Sequence, residues 1–163
     1  MDNLMVVAAQ YLPLLVPVAA AVLWFTLPRP EKVGLGVQAV ISVVAVAGLI
    51  QLAAALHTDP RPFVVDPSVR PLFAHAADNG FPSDHTALAS TVAVLVMTYR
   101  RWIGAALLVA AVLGGLARVV AHVHHLQDIA AGVLLAAVSV AIAAVLWHWV
   151  LPRLPRRLAE LVA

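Results

Sequence analysis

Apolar residues gather in five long runs divided by short polar links: roughly Leu4–Leu27, Val33–Leu56, Ser83–Tyr99, Trp102–Val123 and Leu126–Val150. A helix needs about 20 apolar residues to cross a bilayer, with a range of about 17–25. All five runs reach that length. The third does so at the lower limit, where a re-entrant segment is the alternative. The pattern predicts an all-α fold: a polytopic transmembrane helix bundle of about five spanning helices, forming a single membrane-embedded domain over residues 1–163. The first run starts with Asp2, lacks a basic leader and is too long for a cleaved signal peptide. Pro13 and Pro17 are candidate kinks within it. Small residues recur at i+4 as Ala106, Ala110 and Gly114 in the fourth run and as Gly132 and Ala136 in the fifth. That spacing lets helices approach closely, although the abundance of Ala accounts for it equally well.

The links alternate in charge. Pro28–Lys32 carries Arg29 and Lys32, Arg100-Arg101 divides the third and fourth runs, and the tail carries Arg153, Arg156 and Arg157. By the positive-inside rule these three places are cytoplasmic. Five spans then put the N-terminus outside, with the links His57–Pro82 and Val123–His125, and the C-terminus in the cytoplasm. The basic residues left outside are Arg61, Arg70 and Arg118, which topology does not require there. At a rise of about 1.5 Å per residue, Arg118 lies about 25 Å from Arg101, His85 about 22 Å from Arg100 and Asp128 about 37 Å from Arg153. Across a hydrocarbon core about 30 Å thick, all three reach the outer boundary, at the depth of a lipid headgroup. The link His57–Pro82 holds Pro60, Pro62, Pro67, Pro71 and Pro82. Its length and prolines predict an ordered cover over that boundary, with room for a short interfacial helix.

Composition agrees with the pattern. Of 163 residues, 63% are hydrophobic and 11% charged, against about 45–50% and about 25% in soluble domains. The absence of cysteine excludes disulfides, thiolate nucleophiles and Cys-ligated zinc. A pI of 9.7 invites a nucleic-acid reading. Yet ten basic residues against eight acidic ones form no basic run beyond Arg156-Arg157. The basicity belongs to membrane topology, and no nucleic-acid partner is expected.

Ionisable groups at a membrane edge are costly and mark function. The densest set is Arg118–Asp128, RVVAHVHHLQD. His124 and Asp128 are spaced i,i+4, which puts them on one helix face. An Asp that takes the Nδ1 proton leaves the Nε2 lone pair free to attack and steadies the charged ring that follows. The planar fork of Arg118 suits phosphate oxygens. An interfacial Arg among solvated histidines is the bland alternative. A metal site from His122, His124, His125 and Asp128 is another, but His122 and His124 point apart on a helix. In Phe81–His85 (FPSDH), Ser83 reads as an N-cap whose helix turns free amides toward an anion, with His85 in the first turn as proton donor. A plain capped helix is the alternative there. In Asp59–Pro62 (DPRP), Arg61 offers a second guanidinium. Arg70, His57 and His75 read as solvated loop residues, with Arg70 in reach of a second phosphate. Two arginines, two histidines and an aspartate suit phosphoryl transfer through a phosphohistidine; no cofactor and no metal is expected.

In these stretches the chain resembles the type-2 phosphatidic-acid phosphatase superfamily, whose pattern is Lys-x6-Arg-Pro, Pro-Ser-Gly-His and Ser-Arg-x5-His-x3-Asp. Arg61-Pro62, Pro82-Ser83-Asp84-His85 and the series Arg118, His124, Asp128 match it in order. PRPF (Pro60–Phe63), HAAD (His75–Asp78) and FPSDHT (Phe81–Thr86) resemble the bacitracin-resistance (BcrC-type) undecaprenyl-pyrophosphate phosphatases within it. The chain departs at Ala54, where the superfamily has Lys, and at Ala117, where it has Ser. It departs again at Asp84, where the superfamily has Gly; that acidic group needs Arg70 or a histidine as partner. It also has five runs where six are usual.

The resemblance implies His124 as nucleophile, oriented by Asp128, and His85 as the acid that protonates the leaving phosphate and then activates water. Arg61, Arg118, Ser83 and the helix-start amides would hold the phosphate oxygens, with Asp84 and Arg70 as further headgroup residues. It implies an enzyme of the bacterial plasma membrane that takes the terminal phosphate from a polyprenyl pyrophosphate at the extracytoplasmic face, recycling a cell-wall lipid carrier. Its partners would be that lipid and the surrounding membrane. Phosphatidylglycerophosphate or phosphatidate is the alternative substrate, since a tail pocket leaves no motif. A transporter would need ionisable groups along a path through the bilayer, and the central parts of the runs carry none.

Overall fold

The computed structural model describes residues 2–153. Helices α1 (Asp2–Thr26), α2 (Arg29–Leu56), α4 (Asp84–Tyr99), α5 (Arg101–Val120) and α6 (Leu126–Val150) build the bundle. A single turn, α3 (Pro62–Val65), lies in the link after α2, and a 3-10 turn follows at Leu151–Arg153. This is the all-α, multi-pass bundle expected. α1, α2, α5 and α6 are each long and apolar enough to cross a membrane. The third predicted span is shorter: α4 has 16 residues, about 24 Å of helix. Ser83 caps its start, and the chain leaves helical geometry at Arg100. α4 is the central helix, packed against α1, α2, α5 and α6.

The packing is inside-out relative to a water-soluble domain. Val22, Phe25, Val40, Val44, Leu134 and Trp149 face outward, whereas Ser42, Ser90, Thr91 and Ser139 are buried. Apolar side chains gain little by leaving hydrocarbon, so small residues and hydroxyls take the helix contacts. Thr91 donates to the Ala87 carbonyl (2.8 Å) and meets Ser139 Oγ of α6 at 3.3 Å. One apolar cluster joins α1, α4 and α5 through Val16, Ala89, Ala93 and Ala111. Another joins α2, α4 and α6 through Leu35, Leu95 and Val140, with Leu27 from the α1–α2 link. Gly132 and Ala136 are buried. A Cβ at Gly132 would lie 3.0 Å from the Ser83 carbonyl oxygen, so this glycine lets α6 touch the start of α4. In α5 only part of the predicted ladder is interior: Gly114 packs on Pro13, but Ala106 is exposed. α1 runs through Pro13 and Pro17 as one helix.

The two ends of the bundle differ. At one, Arg100 donates to Glu31 (2.6 Å) and Trp24 Nε1 donates to the Lys32 carbonyl (2.9 Å), which gathers Arg29, Lys32, Arg100 and Arg101. Arg156 and Arg157 lie outside the described residues. At the other end the 57–82 link folds over the α5–α6 turn. Leu72 N–H donates to the Ala121 carbonyl (3.1 Å) and Gly80 N–H to the Asp59 carbonyl (2.9 Å). The Asn79 side chain closes the base of the link by accepting from the amides of Asp59 (2.9 Å) and Phe81 (3.0 Å). The link is therefore an ordered cover with one helical turn, as its prolines suggested.

Candidate active site

The site is built around the turn between α5 and α6. His122 N–H donates to the Val119 carbonyl (3.0 Å) and Val123 N–H to the Arg118 carbonyl (3.1 Å), the Schellman closure of a helix end. His122 takes the left-handed position, φ 61, that usually falls to glycine. This closure ends α5 three residues before the Val123 boundary read from hydropathy.

His124 therefore lies in the turn, and α6 begins only at Leu126. The shared helix face predicted for His124 and Asp128 does not form. Asp128, in the first turn of α6, reaches back instead. Its Oδ2 accepts from the His125 amide (2.8 Å) and lies 3.1 Å from His124 Nδ1. One carboxylate thus caps the helix and orients the imidazole. The bond holds the ring proton on Nδ1 and leaves Nε2 as a lone pair. The Asp128 carbonyl also accepts from the Ser83 amide (3.1 Å), which ties the start of α4 to the same turn.

Two buried guanidinium groups face this imidazole. Arg61, 5% exposed, donates from Nε to Asp78 (2.8 Å) and from Nη1 to the Val123 carbonyl (2.7 Å). The same Nη1 lies 3.4 Å from His124 Nε2. Arg118, 3% exposed, donates from Nη1 to the Ala9 carbonyl (3.2 Å) and from Nη2 to His75 Nε2 (3.0 Å). Ser83 is the predicted N-cap, with Oγ accepting from the Thr86 amide (3.5 Å). His124, Asp128, Arg61, Arg118 and Ser83 are all buried.

His85 and Asp84 sit at the rim. Asp84 Oδ1 accepts from the His85 amide (2.8 Å) and lies 2.8 Å from His85 Nδ1. The acid that replaces the superfamily glycine thus has a histidine partner, and its geometry is that of an orienting group. The result is a second Asp–His pair, with no hydrogen bond to His85 Nε2 among the described residues. Arg70 is exposed.

Sequence reasoning missed three residues of the cluster. His75 was read as solvated but is half-buried on Arg118, with its ring centroid 6.2 Å from that of His124. Asp78 grips Arg61. Asp59 Oδ2 accepts from Gln127 Nε2 (2.6 Å) and lies 2.9 Å from His125 Nδ1, which clasps the Arg61 segment to the His124 turn. The only signal was their presence in the stretches HAAD and DPRP.

Charge follows from these contacts. Burial pushes His124 below the usual histidine range; the Asp128 bond opposes this, while Arg61 and Arg118 reinforce it. Burial likewise lowers His75, helped by Arg61. For Asp59 burial favours the neutral acid, but the donors Gln127 and His125 prevail and hold its carboxyl below the usual range. Asp59, His125 and Asp128 place ligand-type atoms within 4.8 Å of one another. This set differs from the His122-containing rival, since His122 is exposed. Hydrogen bonds among these residues and Gln127 account for their convergence.

The family model described as PAP2 superfamily matches residues 35–154. The "Bacitracin transport permease protein BcrC" of Bacillus licheniformis is 32% identical over 146 residues, covering 90% of this chain and 70% of that protein. The "Undecaprenyl-diphosphatase BcrC" of Bacillus subtilis (strain 168) is 35% identical over 89 residues, covering 53% and 46%. The "Putative undecaprenyl-diphosphatase YbjG" of Escherichia coli (strain K12) is 32% identical over 164 residues, covering 97% and 79%. No solved structure matches.

Proposed function

The chain belongs to the PAP2 superfamily, and from that premise we propose that it hydrolyses the terminal phosphate of a polyprenyl diphosphate, undecaprenyl diphosphate or a near relative. One observation carries the reading. His124 has Nδ1 tied to a buried carboxylate and Nε2 3.4 Å from a buried guanidinium, the setting of a neutral nucleophile aimed at an anion. Two relatives are named as undecaprenyl-diphosphatases and one as a bacitracin transport protein. Among the described helices, charged side chains lie near the helix ends, which fits chemistry at a surface better than passage through the bilayer.

In this reading Nε2 of His124 attacks the terminal phosphorus. The bond to the bridging oxygen breaks, and His85 gives that oxygen its proton, releasing the lipid monophosphate. His85 then takes a proton from water, whose oxygen attacks the phosphohistidine. The P–N bond breaks, and phosphate leaves with the Nε2 lone pair restored. Arg61, Arg118, Ser83 and the amides at the start of α4 hold the non-bridging oxygens, where positioning and charge do most of the catalysis. Asp84 orients His85 as Asp128 orients His124.

The site lies at the end of the bundle opposite Arg29, Lys32, Arg100 and Arg101. The positive-inside rule then supports an extracytoplasmic site in a bacterial plasma membrane. An apolar cleft lined by Pro13, Leu14, Pro17, Val43 and Leu88 has His85 at its polar end. A second cavity shares Val43 and Val92 with it and continues along α4 to Trp24 and Leu35. A leaving oxygen at His85 would feed its prenyl tail into this groove. The test is phosphate release by purified protein in detergent with EDTA, from undecaprenyl diphosphate, phosphatidate and phosphatidylglycerophosphate. The highest kcat/KM is expected for the diphosphate. Equal or faster turnover of a glycerolipid would change the substrate class, and release from none by cooperatively melting protein would overturn the phosphatase reading.

A further inference from the structure

Arg118 is already engaged before any phosphate arrives. Its Nη1 donates to the Ala9 carbonyl, its buried Nε has no partner among the described residues, and its Nη2 donates to His75 Nε2 at 3.0 Å. An arginine only donates. His75 Nε2 is therefore the acceptor, and the ring proton sits on Nδ1, 3.4 Å from the Ala76 carbonyl. His75 thus presents a neutral lone pair to Arg118, and its ring stands edge-on to that of His124 at 6.2 Å. Phe73 rests near the same guanidinium, 5.8 Å from ring centroid to Cζ, so this stretch of the link covers Arg118 as one patch. The neighbouring contact at Arg61 differs. Asp78 grips Nε and leaves Nη1 beside His124.

We propose that His75 is a residue of the phosphate site: in the free enzyme it holds the acceptor position at Arg118 that a phosphate oxygen takes in the complex. The proposal rests on the reading that Arg61, Arg118 and His124 hold the phosphate. A headgroup must displace His75 to bind. An anionic oxygen does so because a hydrogen bond between two charged groups is stronger than one to a neutral acceptor. A carbonyl or hydroxyl headgroup gains no such margin, so His75 restricts the site to phosphate-bearing lipids. It also keeps a buried guanidinium partnered between turnovers, which is costly to leave undone.

The test is equilibrium binding of inorganic phosphate to the full-length protein in detergent, by calorimetry. His75→Ala removes the competing acceptor and is expected to lower Kd about three- to tenfold, the net worth of one typical hydrogen bond. His75→Gln, whose amide oxygen can take the same place, is expected to return Kd to the wild-type value. If the Ala variant does not melt cooperatively, His75→Asn, too short to reach Arg118, stands in for it with the same expected tightening. Unchanged or weaker phosphate binding by a folded variant lacking the acceptor would overturn the assignment. Arg118→Ala separates the two levels: it should abolish phosphate binding, and wild-type binding by that variant would instead overturn the underlying reading of the site.

Discussion

Replacing Asp128 with Asn changes one oxygen for an amide nitrogen at a fully buried position. The carboxylate now serves the His125 amide at 2.8 Å and His124 Nδ1 at 3.1 Å with the same oxygen, Oδ2. In Asp128→Asn the amide oxygen in the Oδ2 place can keep both bonds, and the NH2 then takes the place of Oδ1, which is buried with no partner among the described residues. The Nδ1 tautomer survives, but a neutral amide no longer steadies the positive ring that forms on attack. The equivalent change in a serine-protease triad, where the tautomer is lost as well, costs about 10⁴ in kcat, or about 5.5 kcal/mol at 1.36 kcal/mol per decade, and this is the ceiling here. The helix cap is only weakened, by about 1 kcal/mol, which corresponds to about 2–4 °C in Tm for a chain of this size. Phosphate release and thermal melting, measured together, should therefore show kcat down about 10²–10⁴, KM within about threefold and a small drop in Tm. A variant that keeps kcat within about tenfold of wild type, with its Tm unchanged, would refute the orienting role.

Three further outcomes follow from particular contacts. Burial and two arginines hold His124 below the usual histidine range, so its attacking neutral form survives acidification. The acid limb of kcat/KM should have its midpoint below about 6.5, and a midpoint above about 7 would contradict this setting. A Cβ at Gly80 would lie 3.1 Å from the Asp59 carbonyl oxygen, 3.4 Å from Arg61 Cγ and 3.5 Å from Asp128 Oδ2. Gly80→Ala should therefore spread the site and raise KM several-fold in a Michaelis–Menten series, and unaltered kinetics would show that the link yields freely. His122→Gly should relieve a left-handed backbone worth about 1 kcal/mol and raise Tm by about 2–4 °C without loss of turnover. A fall in Tm would mean that the exposed imidazole contributes contacts of its own.

What could be read from the chain follows the range of the forces involved. The bundle was legible because lipid demands long apolar helices, and Leu126–Val150 was placed to the residue. The end of α5 was misplaced because Val120 and Val123 are equally apolar, while the closure depends on backbone bonds at His122. Arg61, Ser83, Arg118, His124 and Asp128 were legible as candidates from their stretches, with spacing putting Arg118, His85 and Asp128 at one depth, and the structure buries all five. The helix-face argument for His124 and Asp128 found the right pair through the wrong geometry, since Asp128 works as a cap reaching backward. His75, Asp78 and Asp59 were not legible as contacts. They belong to an aperiodic link whose partners lie 17 to 68 residues away. Nothing local in a loop encodes such a pairing.

The most direct test of the account is a rapid-quench experiment with polyprenyl diphosphate labelled in its terminal phosphate, using purified protein in detergent with EDTA. Quenching into alkali preserves a phosphoramidate, and acid destroys it. The account predicts transient, alkali-stable and acid-labile label on the protein, mapped to His124. The label should accumulate in His85→Ala, where water is not activated, and be absent from His124→Ala. Turnover with no label at any time, or label on a residue other than His124, would contradict it.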